Sequence, residues 1–409
     1  MALKTTQRLS TGMLSAALAL GLASGVSAQE TVKIGVIGPM TGPAANTGIA
    51  HRQGMELAVK DWNDGTAETV SDTPPTAELV FEDSNSKPEV GISAAQRLMT
   101  RESVDMIIGD TLHSHVTMAL MEMAPQYGVP ILSAEPVSSA IADKVTADPE
   151  RYKLYWKGNY NSDGYGEAVH SFYQWAFENG VIDEGNKTIA FVVEDTDYGL
   201  ANAEKIGELF EESGWTVAAT ETAPTGTTDF YPQLSKLRDL DPAVLVSVFT
   251  LANSGISFVR QLGEQALEAS HLGIFYPTRP EFMEAAPEIA EGMIWAALQF
   301  SPDVTPAHQE FSDRIAAEFD TPANYSHAHA YCTMMVALRA VDAAGSTDAD
   351  AVADEIGKTE YDCLVGKFQF GEDHTVMSGA DSIPLPVAQI QDGQSQIIWP
   401  ENVATAEPK

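Results

Sequence analysis

The chain has 409 residues, of which 44% are hydrophobic and 20% are charged, and its formal net charge at pH 7 is −35. This length is enough for two domains, each with a substantial core. So acidic a surface disfavours nucleic acids and anionic membranes as partners. No stretch approaches the twenty consecutive apolar residues that a membrane-spanning helix requires.

The N-terminal segment has the pattern of a secretion signal that is removed from the mature protein. Lys4 and Arg8 precede an uncharged apolar stretch, and small residues at the end of that stretch form a cleavage site after Ala28. Gln29 follows in place of a cysteine, so no lipid anchor is expected. The exported chain, residues 29–409, would keep 21 basic and 58 acidic residues, which gives a net charge of −37.

Short β-branched runs alternate with helical patterns in the N-terminal half. The run from Val32 to Ile37 ends at a Gly-Pro pair, and a second Gly-Pro pair shapes the loop before the first helix. Such alternation predicts a parallel sheet with right-handed crossovers. The other strands are predicted at 77–83, 104–109 and 129–133, with further helices at 88–101 and in a methionine-rich stretch that ends at Tyr127.

The segment 147–163 breaks this rhythm and is interpreted as the passage to a second lobe. The alternation then returns, with strands predicted at 188–193, 215–220, 244–249 and 272–276 and helices at 165–179, 200–213, 229–239 and 254–268. After residue 282 we expect the chain to return to the first lobe through helices at 305–319, 325–344 and 348–358. A β-rich tail after residue 363 would complete the second lobe.

The predicted fold is therefore α/β, with two doubly wound lobes. Residues 29–156 and 283–363 would form the first lobe, and residues 157–282 and 364–409 the second. A ligand would bind in the cleft between the carboxyl ends of the two sets of strands. Since the compartment is oxidising, the two cysteines, Cys332 and Cys363, favour one disulfide over two buried thiols.

Seven segments, spread over almost the whole mature chain, carry a resemblance to a known family: VKIGVIGPMTGP, VDMIIG, GVPILSAEP, AFVVEDTDYG, DFYPQLSKLRDLDPAVLVSVF, GMIWAALQF and VGKFQFGED. In their order and spacing the chain resembles the periplasmic solute-binding proteins of branched-chain amino acid ABC importers. The resemblance implies two Rossmann-like lobes of the type I periplasmic binding fold and a three-stranded hinge that closes on a small solute. It also implies a periplasmic, non-catalytic monomer without a cofactor, which delivers its solute to permease subunits in the inner membrane.

The resemblance also places the ligand contacts on five loops. In the family, a serine hydroxyl and helix N-terminal amides at the second of these loops hold a carboxylate, an acid on the fourth faces an ammonium group, and an aromatic residue on the fifth forms a wall. The corresponding residues here are Asn46 and Thr47, then His113 and Ser114, then Glu135, Pro136 and Val137, then Ser162 or Asp163, and finally Tyr198.

Two departures from the family pattern concern Thr250 and the pair Thr278-Arg279. Thr250 aligns with an aromatic residue of the family, and Thr278-Arg279 stands where amino-acid binders have a glutamate. The loss of that acid removes a partner for a ligand ammonium, whereas an arginine offers a bidentate partner for a carboxylate. Alternatively, Glu281 or Glu284 fixes Arg279 outside the cleft.

The expected solute is amino acid-like or carries a carboxylate. The alternatives are an aromatic acid, a short amide such as urea, or a cationic solute, and a sensing role in place of transport. An enzyme is not expected, because the chain has no G-x-S-x-G elbow and sequence neighbours such as Ser114 and His115 do not form a triad. The acids Glu194, Asp195 and Asp197 at one strand end are expected to be solvated.

Two histidine pairs with one residue between them suggest metal ligands: His113 with His115, and His327 with His329. On a helix, residues at this spacing point in different directions, and no nearby cysteine or acid completes a defined site. No metal is therefore expected.

Overall fold

The computed structural model describes residues 1–2, 31–265, 267–296, 300–302, 304–379, 381–401 and 403–409. The predicted cleavage site and nearly all of the secretion signal lie outside the described residues. Within the described part of the chain, no helix is long and apolar enough to cross a membrane.

The first sheet contains five parallel strands in the order β2-β1-β3-β4-β5. Five helices and one π-helical turn, Leu98–Glu102, connect and flank these strands. The strands are β1 (Thr31–Gly38), β2 (Thr76–Asp83), β3 (Met106–Gly109), β4 (Ile131–Ser133) and β5 (Tyr155–Lys157), and the helices are α1 (Ala45–Asn63), α2 (Pro88–Arg97), α3 (Ser114–Leu120), α4 (Met123–Tyr127) and α5 (Ser139–Ala147).

The second sheet has seven strands, of which five follow the same parallel arrangement and two at one edge are antiparallel. Its order is β14-β13-β10-β9-β8-β6-β7. The strands are β6 (Thr188–Glu194), β7 (Thr216–Ala223), β8 (Val244–Phe249), β9 (Ser270–Phe275), β10 (Ile294–Ala296), β13 (Val387–Gln391) and β14 (Gln394–Trp399), and the helices are α6 (Ser162–Glu178), α7 (Asp197–Glu212), α8 (Tyr231–Leu240), α9 (Ala252–Gln265) and α10 (Pro280–Ile289).

Burial on both faces explains why the central strands read as continuous apolar runs. All six residues of β8 are buried, and so are the four residues of β3. Helices cover both faces of a doubly wound sheet, so an alternating polar face would have no access to water. This is why β-branched runs in the sequence predicted most of the strands.

The last three helices pack on the first lobe. They are α11 (Pro306–Phe319), α12 (Tyr325–Ala344) and α13 (Ala349–Gly357), followed by a hairpin of β11 (Glu360–Cys363) and β12 (Gly366–Gln369). Helix α12 lies so close to α1 that a Cβ atom on Gly54 would stand 2.2 Å from the carbonyl oxygen of His327. A glycine at this position therefore permits the two helices to pack backbone against backbone.

The structure joins Cys332 of α12 to Cys363 of β11 by a disulfide bond. The S–S distance is 2.04 Å, the Cα atoms are 5.9 Å apart and the two residues are 31 positions apart in sequence. The bond ties the hairpin to the first-lobe helices.

One predicted boundary differs from the structure. Strand β10 pairs in parallel with β9 and antiparallel with β13, so it belongs to the second sheet. We expected the chain to return to the first lobe at residue 283. It returns later, because α10 and β10 still belong to the second lobe. Strand β5 also lies within the segment 147–163, which the sequence analysis treated only as a passage between lobes.

Lys157, at the end of β5, lies where the chain crosses between the lobes. Its backbone N–H donates to the carbonyl of His374 at 2.8 Å, and the Val376 N–H donates to the carbonyl of Lys157 at 3.1 Å. The neighbouring Trp156 ring stacks on His374 with ring centroids 3.9 Å apart. The Lys157 side chain is buried, donates to the backbone carbonyl of Ser138 at 3.3 Å and contacts the Asn161 side chain.

Candidate functional site

The candidate site lies where loops at the carboxyl ends of the strands of both sheets meet. The first lobe contributes the loops after β3 and β4, and the second lobe contributes the loops after β6, β8 and β9. Helices α1 and α12 add side chains from the first lobe. Because parallel strands of a doubly wound sheet end at one edge, the topology brings these loops together.

An ion pair between Arg279 and Glu135 joins the two lobes at the centre of the site. Nη2 of Arg279 donates to Oε2 of Glu135 at 3.0 Å, and Nη1 donates to Oγ of Ser326 at 2.8 Å. The guanidinium carbon lies 4.1 Å from the centre of the Phe275 ring. Arg279 is only 5% exposed and Glu135 only 2%, so this is a buried charge pair.

His51 of α1 contacts the other oxygen of the same carboxylate. Its Nε2 lies 2.8 Å from Oε1 of Glu135, and its Nδ1 forms a 2.9 Å hydrogen bond with the hydroxyl of Thr111. Burial raises the pKa of the Glu135 carboxyl, but charge interactions with His51 and Arg279 outweigh burial and hold this pKa well below its usual range. Glu135 is therefore ionised at neutral pH.

A second buried pair, Asp110 and His113, lies in the loop after β3. Oδ1 of Asp110 accepts hydrogen bonds from the backbone N–H groups of Leu112 and His113, both at 2.7 Å. Burial raises the pKa of the Asp110 carboxyl, but the nearby His113 ring, with Nδ1 3.6 Å from Oδ1, and the His113 backbone N–H outweigh burial, so the pKa lies below its usual value. Among the described residues, neither ring nitrogen of His113 has a hydrogen-bond partner.

These groups surround a narrow cavity of about 10 Å³ between the lobes, enough for about one water molecule. Tyr198 and Phe275 form its aromatic wall, with ring centroids 5.9 Å apart. The buried hydroxyl of Tyr198 has no hydrogen-bond partner in the part of the chain that the structure describes, and burial raises its pKa well above the ordinary value. The lining residues are Leu112, His113, Ser114, His115, Glu135, Val137, Glu194, Tyr198, Thr250 and Phe275.

Glu194 differs from the prediction that the acids after β6 are solvated. It is 3% exposed, and its carboxylate accepts hydrogen bonds from the Thr250 N–H at 2.9 Å and the Thr250 hydroxyl at 2.6 Å. The hydroxyl of Thr196 donates to it at 3.0 Å. A carboxylate that accepts three hydrogen bonds can be buried without a cationic partner.

Polar contacts also join the lobes at the rim of the cleft. The Asn46 side-chain amide donates to Glu281 at 2.6 Å, and the Ser138 hydroxyl donates to the backbone carbonyl of Asp197 at 3.2 Å. Arg279 bonds to Glu135 and Ser326, and Glu281 bonds to Asn46, so the alternative in which Glu281 or Glu284 fixes Arg279 outside the cleft is wrong.

The structure separates the other predicted site residues from the cavity wall. Ser162 and Asp163 bond to the hydroxyl of Ser139, at 2.6 and 2.5 Å, where α6 meets α5. The hydroxyl of Thr278 donates to the backbone carbonyl of Phe275 at 2.7 Å. Thr47 lies half-buried beside Asn46 at the rim, and Pro136 lies between two wall residues.

The histidine pair of α12 has structural partners. His327 completes the N-terminal capping box of this helix with Asn324. His329 is fully buried, with its Nε2 3.0 Å from the carbonyl oxygen of Gly158. Among the described residues, no group of three or more histidines, cysteines or acids has an arrangement that could hold a metal ion.

Sequence reasoning missed His51, Ser326 and Phe275. His51 and Ser326 lie on helices whose contact with the cleft depends on how α1 and α12 pack. Phe275 is the last residue of a strand whose final four residues are buried, and Pro277 shortly after it was the one available signal. Nothing in the local sequence of the two helices indicates a role in a site.

Two doubly wound lobes that face each other across a polar cleft define the class: a two-lobed binding protein with the type I periplasmic fold. The chain matches the sequence model of the periplasmic binding protein family over residues 31–394, and it belongs to that family.

Individual relatives resemble the chain over nearly its full length. The leucine-, isoleucine-, valine-, threonine- and alanine-binding protein of Pseudomonas aeruginosa is 25% identical over 370 residues, which cover 90% of this chain and 93% of that protein. A solved Silicibacter pomeroyi structure, assigned to a branched-chain amino acid ABC transporter, has a TM-score of 0.79 at 24% identity and covers 93% of this chain and 99% of that one.

A structure with a different bound molecule shares the same fold. The solute-binding protein of an ABC transporter from R. palustris, solved in complex with benzoate, has a TM-score of 0.74 at 17% identity. The match covers 90% of this chain and 95% of that one. At this identity the likeness shows the fold alone.

Proposed function

We propose that this protein is exported, loses its signal after Ala28, and captures a small solute between its two lobes for delivery to the permease of an ABC importer. The observation that carries this proposal is the Arg279–Glu135 pair across the cleft, next to a cavity with unpartnered polar groups. Buried polar atoms are nearly always hydrogen-bonded in folded proteins. Groups such as the Tyr198 hydroxyl and the ring of His113 are therefore positioned to bond to a solute.

The relatives support an amino acid or an organic acid as the solute. One relative is named for five amino acids, and one structural neighbour holds benzoate. The chain lacks the family glutamate that would face a ligand ammonium, and the turn that would carry it reads Tyr276-Pro277-Thr278-Arg279 here. We therefore propose that the solute is amino acid-like or carries a carboxylate.

Binding to a panel of solutes tests the proposed function. Protein freed of bound solute by unfolding and refolding is expected to gain thermal stability with at least one amino acid, aromatic acid, short amide or quaternary amine, because a ligand that binds only the folded state stabilises it by mass action. At a hundredfold excess over Kd the gain is about 2.7 kcal/mol. Solutes recovered unchanged after incubation would agree with binding without catalysis, whereas a flat response to every class would contradict the proposal.

Tyr198→Ala should weaken the binding of any such solute by about 10- to 100-fold, since a buried aromatic contact contributes about 1–3 kcal/mol. The variant should also favour the open form, because a solute that contacts both lobes shifts the hinge equilibrium towards closure. Calorimetric titration measures the affinity, and small-angle scattering measures the compaction on binding. Tyr231→Ala, on an exposed part of α8, provides the matched control. Equal affinity in wild type and Tyr198→Ala would place the solute elsewhere.

A further inference from the structure

The guanidinium of Arg279 has one edge that is only half used. Its Nη1 donates to Ser326 and its Nη2 to Glu135, but Nε has no partner among the described residues. Nε and Nη2 point in the same direction on one edge of the group. This edge can bind both oxygens of a carboxylate through two parallel hydrogen bonds. Glu135 bonds to it through one oxygen only.

Glu135 has a second partner that would remain if Arg279 bound another group. Its Oε1 already lies 2.8 Å from His51, and His51 is itself held by Thr111. The main chain of Glu135 is fixed as well, because its N–H donates to the carbonyl of Thr111 at 3.1 Å and its carbonyl accepts from the Asn159 amide at 3.1 Å. A rotation of this carboxylate that keeps Oε1 beside His51 and withdraws Oε2 would uncover the Arg279 edge, and His51 would remain as a neighbour of the carboxylate.

The residues that line the neighbouring cavity offer contacts for an anionic head and an apolar body, and the lobes must move apart to admit such a molecule because the cavity itself is only about 10 Å³. Glu135 and Phe275, which both contact Arg279, line it. The hydroxyl of Tyr198 is an additional donor, because Tyr198 lines the same cavity as Glu135 and its buried hydroxyl has no hydrogen-bond partner among the described residues. Apolar contacts for a body are available from Leu112, Val137 and the Phe275 ring.

We propose that the solute carries a carboxylate that binds the Nε–Nη2 edge of Arg279, with Glu135 moving onto His51 and Tyr198 donating a further hydrogen bond. This inference rests on the proposed function, and it names the solute class of the same cleft. Glu135 thus acts as an internal competitor for Arg279. The shared chemistry is the carboxylate, which a simple organic acid or an amino acid supplies.

Matched probes separate these cases: benzoate with benzamide, 3-methylbutanoate with its amide, and L-leucine with L-leucinamide. Thermal shift and calorimetric titration are carried out on wild type, Arg279→Lys, Arg279→Gln and Glu135→Gln, with Arg151→Lys as control. Arg151 pairs with Glu122 on the surface of the first lobe, away from the cleft. Circular dichroism and the melting temperature without solute show whether each variant folds.

We expect at least one acid to bind more than about tenfold tighter than its amide, because a charged bidentate pair is lost in the amide. Arg279→Lys should lower the affinity for that acid by about tenfold or more, since lysine cannot form the two parallel hydrogen bonds. Glu135→Gln should bind it about tenfold tighter, because a neutral competitor holds the guanidinium less strongly. Preference for L-leucine over 3-methylbutanoate would identify the amino acid as the source of the carboxylate.

Other outcomes overturn the inference and leave the proposed function standing: amides or amines that bind as tightly as the acids, or acid affinity that is unchanged in Arg279→Lys. Loss of binding in Glu135→Gln to the level of Arg279→Gln would also overturn it, because Glu135 would then contact the solute itself. If Arg279→Gln fails to fold, the affinity of Glu135→Gln for the acid and the ratio of acid to amide affinity in wild type still decide whether the inference holds. Failure of every probe, together with failure of the wider panel, would overturn both proposals.

Discussion

Replacement of Cys332 and Cys363 by alanine is expected to lower the free energy of unfolding by about 3–4 kcal/mol. The disulfide closes a loop of 31 residues, and in the chain-entropy model a bond of this span removes that much conformational freedom from the unfolded chain. Urea unfolding of wild type, with and without a reductant, and of the double variant measures the effect.

The double variant supplies its own control, because a reductant should not change its stability further. Cys332 and Cys363 both lie outside the cleft, so the affinity for the solute should be the same in the double variant and in wild type. Two free thiols titrated in the unfolded, unreduced wild type would contradict the presence of the bond.

Lys157→Met is expected to remove a large pH dependence of stability. Burial disfavours the charged form and lowers the pKa of Lys157 from 10.5 to about 7, against the opposing charges of Asp373, Asp163 and Asp143. Between these two values the unfolded chain binds a proton that the folded chain releases, so stability rises with pH. The lowered pKa corresponds to a destabilisation of the folded protein by about 4–5 kcal/mol. This destabilisation is absent above pH 10.5 and reaches its full size below pH 7.

The measurement is the difference in unfolding free energy between wild type and Lys157→Met. From pH 7 to pH 9.5, the unfolding free energy of wild type should rise by about 3 kcal/mol relative to that of the variant, because each pH unit in this window contributes about 1.4 kcal/mol. Lys153→Met is a suitable comparison, since Lys153 is exposed and pairs with Asp350 at the surface. A constant difference across the window would show that Lys157 keeps its proton when buried.

The sequence predicted the long central strands because burial on both faces leaves a continuous apolar run. Strands β5 and β10 escaped prediction, although the equally short β4 was predicted from the apolar run at 129–133. The pairing of β5 and β10 depends on neighbouring strands that are already in place. The position at which the chain leaves the second lobe was misplaced for the same reason. Which lobe a short strand joins is decided by tertiary packing.

Within the site, residues at strand ends were easier to predict than residues on helices. Glu135 and Tyr198 follow predicted strands directly, so topology places them at the cleft. The direction of Arg279 depends on whether Glu135 or Glu281 faces it, which is set only when the lobes meet. Burial of Glu194 depends in turn on Thr250, 56 positions away, whose backbone and hydroxyl donors no local pattern reveals.

The five strands of the first sheet and the five parallel strands of the second sheet follow the same order, so the two lobes repeat one topology. Strands β1 to β5 correspond to β6 to β10, so the loop after β4 with Glu135 is equivalent to the loop after β9 with Arg279. Two copies of the first lobe, facing each other in the same way as the two lobes do, would oppose two glutamates, and two copies of the second lobe would oppose two arginines. Only the first lobe against the second brings the opposite charges of Glu135 and Arg279 together. The charge pair thus makes each lobe complementary to the other lobe, whereas a second copy of the same lobe would be repelled.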